Sequence, residues 1–273
     1  MVLTVLLLYL ASFLILVALI VRNVGFDFRS KRDDPTWRRR WDLGIFLGSV
    51  IPALLWGVAF ANIVRGVPID ADKEFVGNFF TLLNPYALLG GLVTLTLFAT
   101  HGAIYLSLKT LGDIRLRACR LAQQLGLVAA VLAVVFLAWT FQIRADALYR
   151  GWFAVLALVA AVALLAGLAA ARQGREGWAF LGTAVTVLAA VASLFVVLFP
   201  EVMPSSLDPA WSLTTTNASS TEYTLRIMTW VAVFFTPVVL AYQTWTYIVF
   251  RKRIGVQHIP IQQLLEPRET ADR

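Results

Sequence analysis

Long apolar segments alternate with short polar connections along the whole chain. A run of about 20 apolar residues can cross a bilayer as a helix, because each helical residue rises about 1.5 Å. A transmembrane β-barrel would instead show alternating segments of about ten residues. The pattern therefore predicts an all-α polytopic membrane protein that forms a single integral membrane domain. Seven transmembrane helices are predicted, over about residues 2–21, 43–64, 86–108, 121–141, 151–171, 178–199 and 227–250.

The charged side chains all lie outside these seven segments. Charged residues make up 14% of the chain and hydrophobic residues 59%, whereas a soluble domain has about 25% charged residues. Proteins that move ions by themselves usually keep charged side chains within the membrane, where such groups are costly. The sequence therefore predicts a subunit that supports chemistry rather than one that carries its own reactive groups.

Most of the 23 Lys and Arg residues fall on alternate connections. The positive-inside rule places these connections in the cytoplasm. Residues 251–273 are then a cytoplasmic tail, and seven spans place the N-terminus outside. This distribution attributes the net charge of +7 to topology and to contact with anionic lipid headgroups. No nucleic-acid partner is predicted.

His101 is the one histidine inside a predicted membrane segment. It lies about 10 Å from the Leu108 end of the third segment, and it shares a helical face with Thr94, Phe98 and Tyr105. Three roles are open: a neutral side chain hydrogen-bonded to a neighbouring helix, a member of a proton or water path that includes Thr94 and Tyr105, or a haem or metal ligand. For the last role, the predicted segments contain no second His, Cys or carboxylate.

The polar connections contain signals for caps and turns. Asn84 is a good N-cap, and Pro85 suits the first position of a helix. Gly90 and Gly91 follow in the same helix, where they either permit close helix packing or face lipid. The connection from Pro200 to Arg226 is rich in Ser, Thr, Asn, Asp and Pro, which predicts turns and capped helix ends.

The chain resembles subunit II of the cytochrome bd quinol oxidases over essentially its whole length. The resemblance begins in Arg22–Arg29, continues through Gly77–Phe80 and Leu83–Pro85, and resumes at His101–Ala103. It then extends from Phe199-Pro200 to Tyr223-Thr224-Leu225 and through Leu240–Gln243. Family-signature positions with a structural or interface role are Gly102, Lys109, Thr110, Asp208, Pro209, Asn217, Tyr223, Tyr242 and Gln243.

This resemblance implies a heterodimer in the bacterial inner membrane. The partner, subunit I, would hold haem b and haem d, oxidise quinol and reduce dioxygen to water. This chain would be a subunit of that oxidoreductase without catalytic residues, cofactor or metal of its own. It would stabilise subunit I and contribute to proton or oxygen access in aerobic respiration. Small accessory subunits, membrane lipid and a structural quinone are further partners that the resemblance admits.

The family pattern has nine helices, in two four-helix bundles plus one peripheral helix. Its first two helices, with a Trp-Asp-Gly-Asn motif between them, are not found in this chain. Removing a hairpin preserves orientation, so seven spans with the N-terminus outside agree with the pattern. We expect a start codon placed too far downstream or a truncated sequence; otherwise the N-terminal bundle lacks half its helices.

Two other classes of membrane protein stay open as alternatives. One is a stand-alone multi-pass transporter, and the other is an assembly subunit of a different membrane complex. Transporters usually show inverted repeats with interrupted helices at mid-membrane. Pro52 and Pro237 are isolated, and no convincing internal repeat is visible.

Overall fold

The computed structural model describes residues 2–145 and 147–255, and seven α-helices dominate this part of the chain. The helices are α1 Val2–Phe28, α2 Pro35–Arg65, α3 Pro85–Lys109, α4 Asp113–Ile143, α5 Arg150–Arg172, α6 Glu176–Leu198 and α7 Glu222–Val249. Helices α2 to α7 are each long and apolar enough to cross a membrane. The predicted all-α polytopic class is confirmed. Residues 256–273 of the predicted tail lie outside the described residues.

The first predicted span, residues 2–21, lies within the single helix α1. The described side chains of α1 begin at Ser12. Whether α1 meets the same criterion of length and apolarity therefore stays a prediction.

Three helices begin well before the apolar segments that predicted them. α2 starts at Pro35, where the side chain of Asp34 accepts a hydrogen bond from the backbone N–H of Thr36. α4 starts at Asp113, a carboxylate that the helix dipole favours in the first turn. α7 starts at Glu222 after a Thr221 cap. Capping and dipole interactions extend each helix into polar sequence, so an apolar window marks only its membrane-crossing part.

Helices α3 to α6 form a ring of four in which each helix packs against the next and α6 packs back against α3. α2 lies against α3, and α1 lies against α2. Small residues bring the backbones close, as expected where packing drives helix association in lipid. Gly57 of α2 faces Gly90 and Gly91 of α3, and Gly167 of α5 faces Gly182 of α6. Close packing is therefore the role of Gly90 and Gly91.

α7 stands apart from this ring, and none of its side chains is buried. Its contacts with α3 lie near its C-terminal end. The ring of Tyr247 meets the ring of Tyr105 with centroids 6.4 Å apart. Just beyond the helix, Ile254 pairs with Thr110 in a short parallel bridge.

The two ends of the helical array differ in character. The basic end carries the α1–α2, α3–α4 and α5–α6 connections and the residues after α7. The loop end carries the other connections, with two 3-10 helices at Phe79–Leu82 and Pro209–Trp211. There the strands β1 (Glu201–Met203) and β2 (Leu213–Thr214) form a small antiparallel sheet.

The predicted caps and turns are present at the loop end. The side chain of Asn84 accepts a hydrogen bond from the backbone N–H of Ala87, and Pro85 is the first residue of α3. The amide of Asn84 also donates to the side-chain oxygen of Asn62, 2.8 Å away. Asn62 is buried, so this pair joins the start of α3 to the end of α2.

Candidate functional site around His101

His101 lies on α3 and faces α6. Its Nδ1 atom is 2.7 Å from the hydroxyl oxygen of Thr183. That hydroxyl is also 3.1 Å from the carbonyl oxygens of Ala179 and Phe180. The Thr183 hydroxyl therefore bonds both to the imidazole and to the backbone of its own helix, and the tautomer of His101 decides whether Nδ1 or the hydroxyl donates in the bond between them. This geometry fits the first of the three roles, a neutral imidazole bound to a neighbouring helix.

Aromatic rings continue from His101 towards the basic end. The ring of Phe180 stacks on the imidazole with centroids 4.6 Å apart, and Tyr105 packs against Phe180 at 5.8 Å. The ammonium group of Lys109 lies 5.8 Å from the Tyr105 ring centroid. We call His101, Phe180, Tyr105 and Lys109 the His101 column. It joins one polar group inside the helical array to a cation at its edge.

Thr94 shares a helical face with His101 but contacts a different helix. Its hydroxyl lies 3.0 Å from the carbonyl oxygen of Ala53 in α2. It is also within hydrogen-bonding distance of the carbonyl oxygens of Gly90 and Gly91 in its own helix. Two helical turns, about 10 Å, separate Thr94 from His101 along the axis. The structure therefore brings Tyr105 close to the His101 environment and leaves Thr94 at the α2–α3 contact.

Within residues 2–145 and 147–255, no three His, Cys, Asp or Glu side chains come together in a way that could hold a metal ion. One ring nitrogen of His101 is engaged by Thr183, and Phe180 covers one face of its ring. A metal site built on His101 would therefore need ligands from outside the described part of this chain.

Sequence reasoning did not find a cluster at the basic end that centres on Glu176. Glu176 is 4% exposed. The Nε atom of Arg115 donates to its Oε1 at 2.7 Å, and a second Arg115 nitrogen bonds to the same oxygen. Arg253 donates to Oε2 at 3.3 Å. Two guanidinium groups thus compensate a carboxylate whose burial would otherwise be costly.

The signal for this cluster in the sequence was weak. Glu176 is a lone carboxylate among the basic residues of the α5–α6 connection. Its partners lie 61 and 77 residues away. Only the folded arrangement of the helices brings them together at the basic end.

Three signature positions shape the loop end. Asp208 caps the second 3-10 helix by accepting the backbone N–H of Ala210 at 2.8 Å, and Pro209 is the first residue of that helix. The side-chain oxygen of Asn217 accepts the backbone N–H of Thr214 at 2.7 Å. Its amide donates to the carbonyl of Ser212 at 3.0 Å.

Two further signature positions attach the end of α7 to α3. The Lys109 ammonium group donates to the carbonyl oxygen of Phe250 at 2.8 Å. Thr110 pairs with Ile254, whose backbone N–H donates to the carbonyl of Lys109 at 2.8 Å. With the ion pair of Arg253, these contacts form a clasp around the end of α7.

The remaining signature positions are exposed. Gly102 has nothing within 4 Å of the position that a Cβ atom would take. Tyr223, Tyr242 and Gln243 lie on exposed faces of α7, and the Tyr242 ring meets only its helical neighbour Trp245, at 6.1 Å. These positions are available to molecules outside the chain.

Comparison with known proteins places this fold in a family. The family model of the cytochrome bd terminal oxidase subunit II matches residues 3–250. The chain is 36% identical to the cytochrome bd-I ubiquinol oxidase subunit 2 of Escherichia coli K12, over 88% of this chain and 72% of that protein. It is also 36% identical to the cytochrome bd ubiquinol oxidase subunit 2 of Bacillus subtilis 168, over 90% and 73% of the two chains. This chain therefore belongs to the cytochrome bd terminal oxidase subunit II family.

Proposed function

We propose that this chain is the haem-free subunit of a quinol:dioxygen oxidoreductase in a bacterial membrane and that it pairs with a haem-bearing subunit I. The family match over residues 3–250 carries this proposal, together with relatives named as ubiquinol oxidase subunits. Haem b and haem d would belong to the partner, which would also oxidise the quinol. The basic end would face the cytoplasm, in keeping with the positive-inside rule.

The exposed helix α7 supports an association with subunit I. Its apolar side chains include Trp230, Phe234 and Trp245, which are each more than 60% exposed. Lipid alone could cover such side chains. A polar group on the same helix requires a different explanation.

That polar group is the amide of Gln243. It is exposed on a helix that is apolar enough to span a membrane, and it has no hydrogen-bonding partner within the described part of the chain. A polar side chain facing lipid loses its hydrogen bonds, whereas polar side chains commonly join neighbouring transmembrane helices. We infer that a polar group of subunit I binds Gln243 and that α7 is part of the subunit interface.

The first test is purification of the tagged chain from native membranes in mild detergent, followed by a reduced-minus-oxidised optical spectrum. Co-purifying b-type and d-type haem bands would support the oxidase complex. A stable, monodisperse sample without these bands would overturn it and favour a stand-alone transporter. Gln243→Leu should lower the haem recovered per mole of chain. Thr244→Val is the matched control, because the Thr244 hydroxyl already binds the Leu240 carbonyl at 2.7 Å.

The His101 column supports a role in proton access more than in oxygen access. It contains an imidazole, a phenol and an ammonium group between the inside of the array and the basic end, linked through the ring of Phe180. His101, aligned by Thr183, would help to line or orient a hydrogen-bonded path for protons to the partner. Tyr105 would extend that path towards the basic end. Thr94, at the α2–α3 contact, would lie outside the path.

Replacing His101 by Phe keeps a ring that can stack on Phe180 and removes both ring nitrogens. We expect normal haem content with lower oxidase turnover. Phe98→Leu, on the same helical face, is the control and should leave turnover unchanged. Full turnover by an assembled His101→Phe complex would refute the proposed path.

A further inference from the structure

We propose that the groove between α4 and α5 binds one anionic phospholipid from the leaflet at the basic end. The groove has a volume of about 350 Å³. Its mouth is polar, with Gln123 on α4 and Arg172 and Gln173 at the end of α5. Below the mouth its walls are apolar. This order of a charged mouth above an apolar wall matches the order of headgroup and acyl chain in a lipid.

The mouth carries positive charge that the described residues leave unpaired. Arg172 is exposed and makes no ion pair within residues 2–145 and 147–255. Arg120 is also exposed and lies one turn before Gln123 on the same face of α4. The nearby carboxylate of Glu176 is already held by Arg115 and Arg253. A lipid phosphate would therefore meet unpaired guanidinium groups, which bind phosphate in a bidentate manner.

The apolar wall continues into a second cavity inside the helical ring. This cavity has a volume of about 290 Å³, and both cavities are lined by Ala130 and Leu165. From Gln123 to Leu137, which lines the inner cavity, α4 rises about 21 Å. One leaflet contributes about 15 Å of hydrocarbon, half of the bilayer core. An acyl chain whose headgroup binds at Arg172 can therefore follow the groove into the inner cavity.

Small side chains keep this space open. Ala130 and Ala133 on α4 and Ala157 and Ala161 on α5 line the inner cavity. The two helices meet more closely near the mouth, where a Cβ atom on Gly126 would lie 2.3 Å from the side chain of Leu168. The groove is thus bounded near its mouth by a tight contact and opens where alanines leave room for a chain.

The charge at the mouth determines which lipid binds. A phosphate-bearing anionic headgroup gains ion pairs with Arg172 and Arg120 at the level where headgroups lie. A quinone has an uncharged head and gains no ion pair from them. Contact between the acyl chain and the apolar wall contributes affinity. The two arginines select anionic headgroups over uncharged ones.

The test measures the lipid that stays bound to the tagged chain, with any subunits that co-purify, after extensive washing in detergent. Extracted lipids are quantified per mole of chain by mass spectrometry, so the result does not depend on haem content. The unaltered protein should retain anionic phospholipid. Arg172→Gln should lower the retained amount about fivefold, the effect of losing one basic group near a membrane surface. Arg172→Lys should restore only part of it, because Lys keeps the charge but not the bidentate geometry.

Two further variants separate the charge from the groove. Arg117→Gln, at an exposed arginine about two turns before Gln123 on α4 that does not line the groove, should leave retention unchanged. Ala130→Phe fills the junction of the two cavities and should release the lipid even though Arg172 is intact. Equal losses in Arg172→Gln and Arg117→Gln would overturn the proposal, as would finding that Ala130→Phe releases a quinone instead of a phospholipid. If Ala130→Phe does not fold, the comparison of lipid retention between Arg172→Gln and Arg117→Gln tests the proposal.

Discussion

Glu176 and Arg253 form an ion pair across 77 residues of sequence, with 3.3 Å between Nη2 and Oε2. Glu176 begins α6, whereas Arg253 follows α7. Arg115 binds the same carboxylate from the start of α4. A single buried side chain therefore connects three segments at the basic end, including the segment that follows α7.

Replacing Glu176 by Ala should loosen this end of the molecule. Removing one partner of a buried ion pair costs about 3–5 kcal/mol, but water reaches both arginines, so we expect a loss of about 1–3 kcal/mol in the free energy of unfolding. The measurement is thermal unfolding in detergent, combined with the rate of tryptic cleavage at Arg251–Arg253. Cleavage should become faster because the clasp around the end of α7 has lost one of its contacts.

Asp113→Asn is the matched control for this variant. Asp113 is a carboxylate at the same end of the molecule, and it is exposed. Its replacement removes only a helix-dipole interaction of about 0.3–1 kcal/mol, so it should lower the unfolding temperature less than Glu176→Ala does and leave the cleavage rate unchanged. If both variants behaved alike, Glu176 would have no special role in holding α7.

Gly57→Ala should push α2 away from α3 and lower the free energy of unfolding. A Cβ atom at Gly57 would lie 1.9 Å from the Thr94 hydroxyl oxygen and 2.5 Å from the Gly90 carbonyl oxygen. Overpacking of this kind typically costs about 1–3 kcal/mol, and we expect a loss in that range. Gly102→Ala is the control, because nothing lies within 4 Å of its Cβ position and alanine favours a helix by up to about 1 kcal/mol. Equal unfolding temperatures for the two variants would contradict this account of the α2–α3 contact.

Thr183→Val should lower the free energy of unfolding, because it leaves His101 without its hydrogen-bonding partner. The substitution keeps the side-chain shape but removes the hydroxyl that bonds to the imidazole, which should cost about 1–2 kcal/mol. Thr186→Val is a suitable reference, because Thr186 is also buried but its hydroxyl bonds only to the Gly182 carbonyl of its own helix. The difference in free energy of unfolding between the two variants measures the bond between α3 and α6. No difference would mean that this bond does not contribute to stability.

Asn84→Ala should remove two interactions at once. The variant loses the cap of α3 and leaves the buried side chain of Asn62 with an unpaired oxygen, so we expect a loss of about 2 kcal/mol. Asn78→Ala removes a comparable cap, from the exposed 3-10 helix Phe79–Leu82, and should cost less. Thermal unfolding of the two variants side by side would show whether the contact with Asn62 adds to the cap.

The sequence was sufficient for the class of fold and for local features. Apolar runs marked the membrane-crossing parts of the helices, and Asn84 with Pro85 marked the start of α3 correctly. Such features depend on neighbouring residues alone. The polar extensions of α2 and α4 could not be read from apolarity, because caps and dipoles rather than burial stabilise those turns.

The candidate site was harder to predict because it depends on which helices meet. Spacing placed Thr94, His101 and Tyr105 on one face of α3. It could not tell that Thr94 would meet α2 while His101 meets α6. For the same reason the sequence did not reveal the ion pairs of Glu176, whose partners come from distant parts of the chain. The role proposed for α7 also depends on a partner subunit, whose residues are not part of this sequence.

The loop end has a consequence for the order in which the molecule is built. Val67 pairs with Ser205, and the Ser205 hydroxyl donates to the carbonyl of Ile69, 136 residues earlier in the chain. Lys73 similarly reaches the carbonyl of Ala210. Contacts of such sequence separation close late, because a long chain must be ordered before they form. Residue 205 follows α2 to α6 in the sequence, so the contacts at the loop end can form only after all five of these helices have been synthesised.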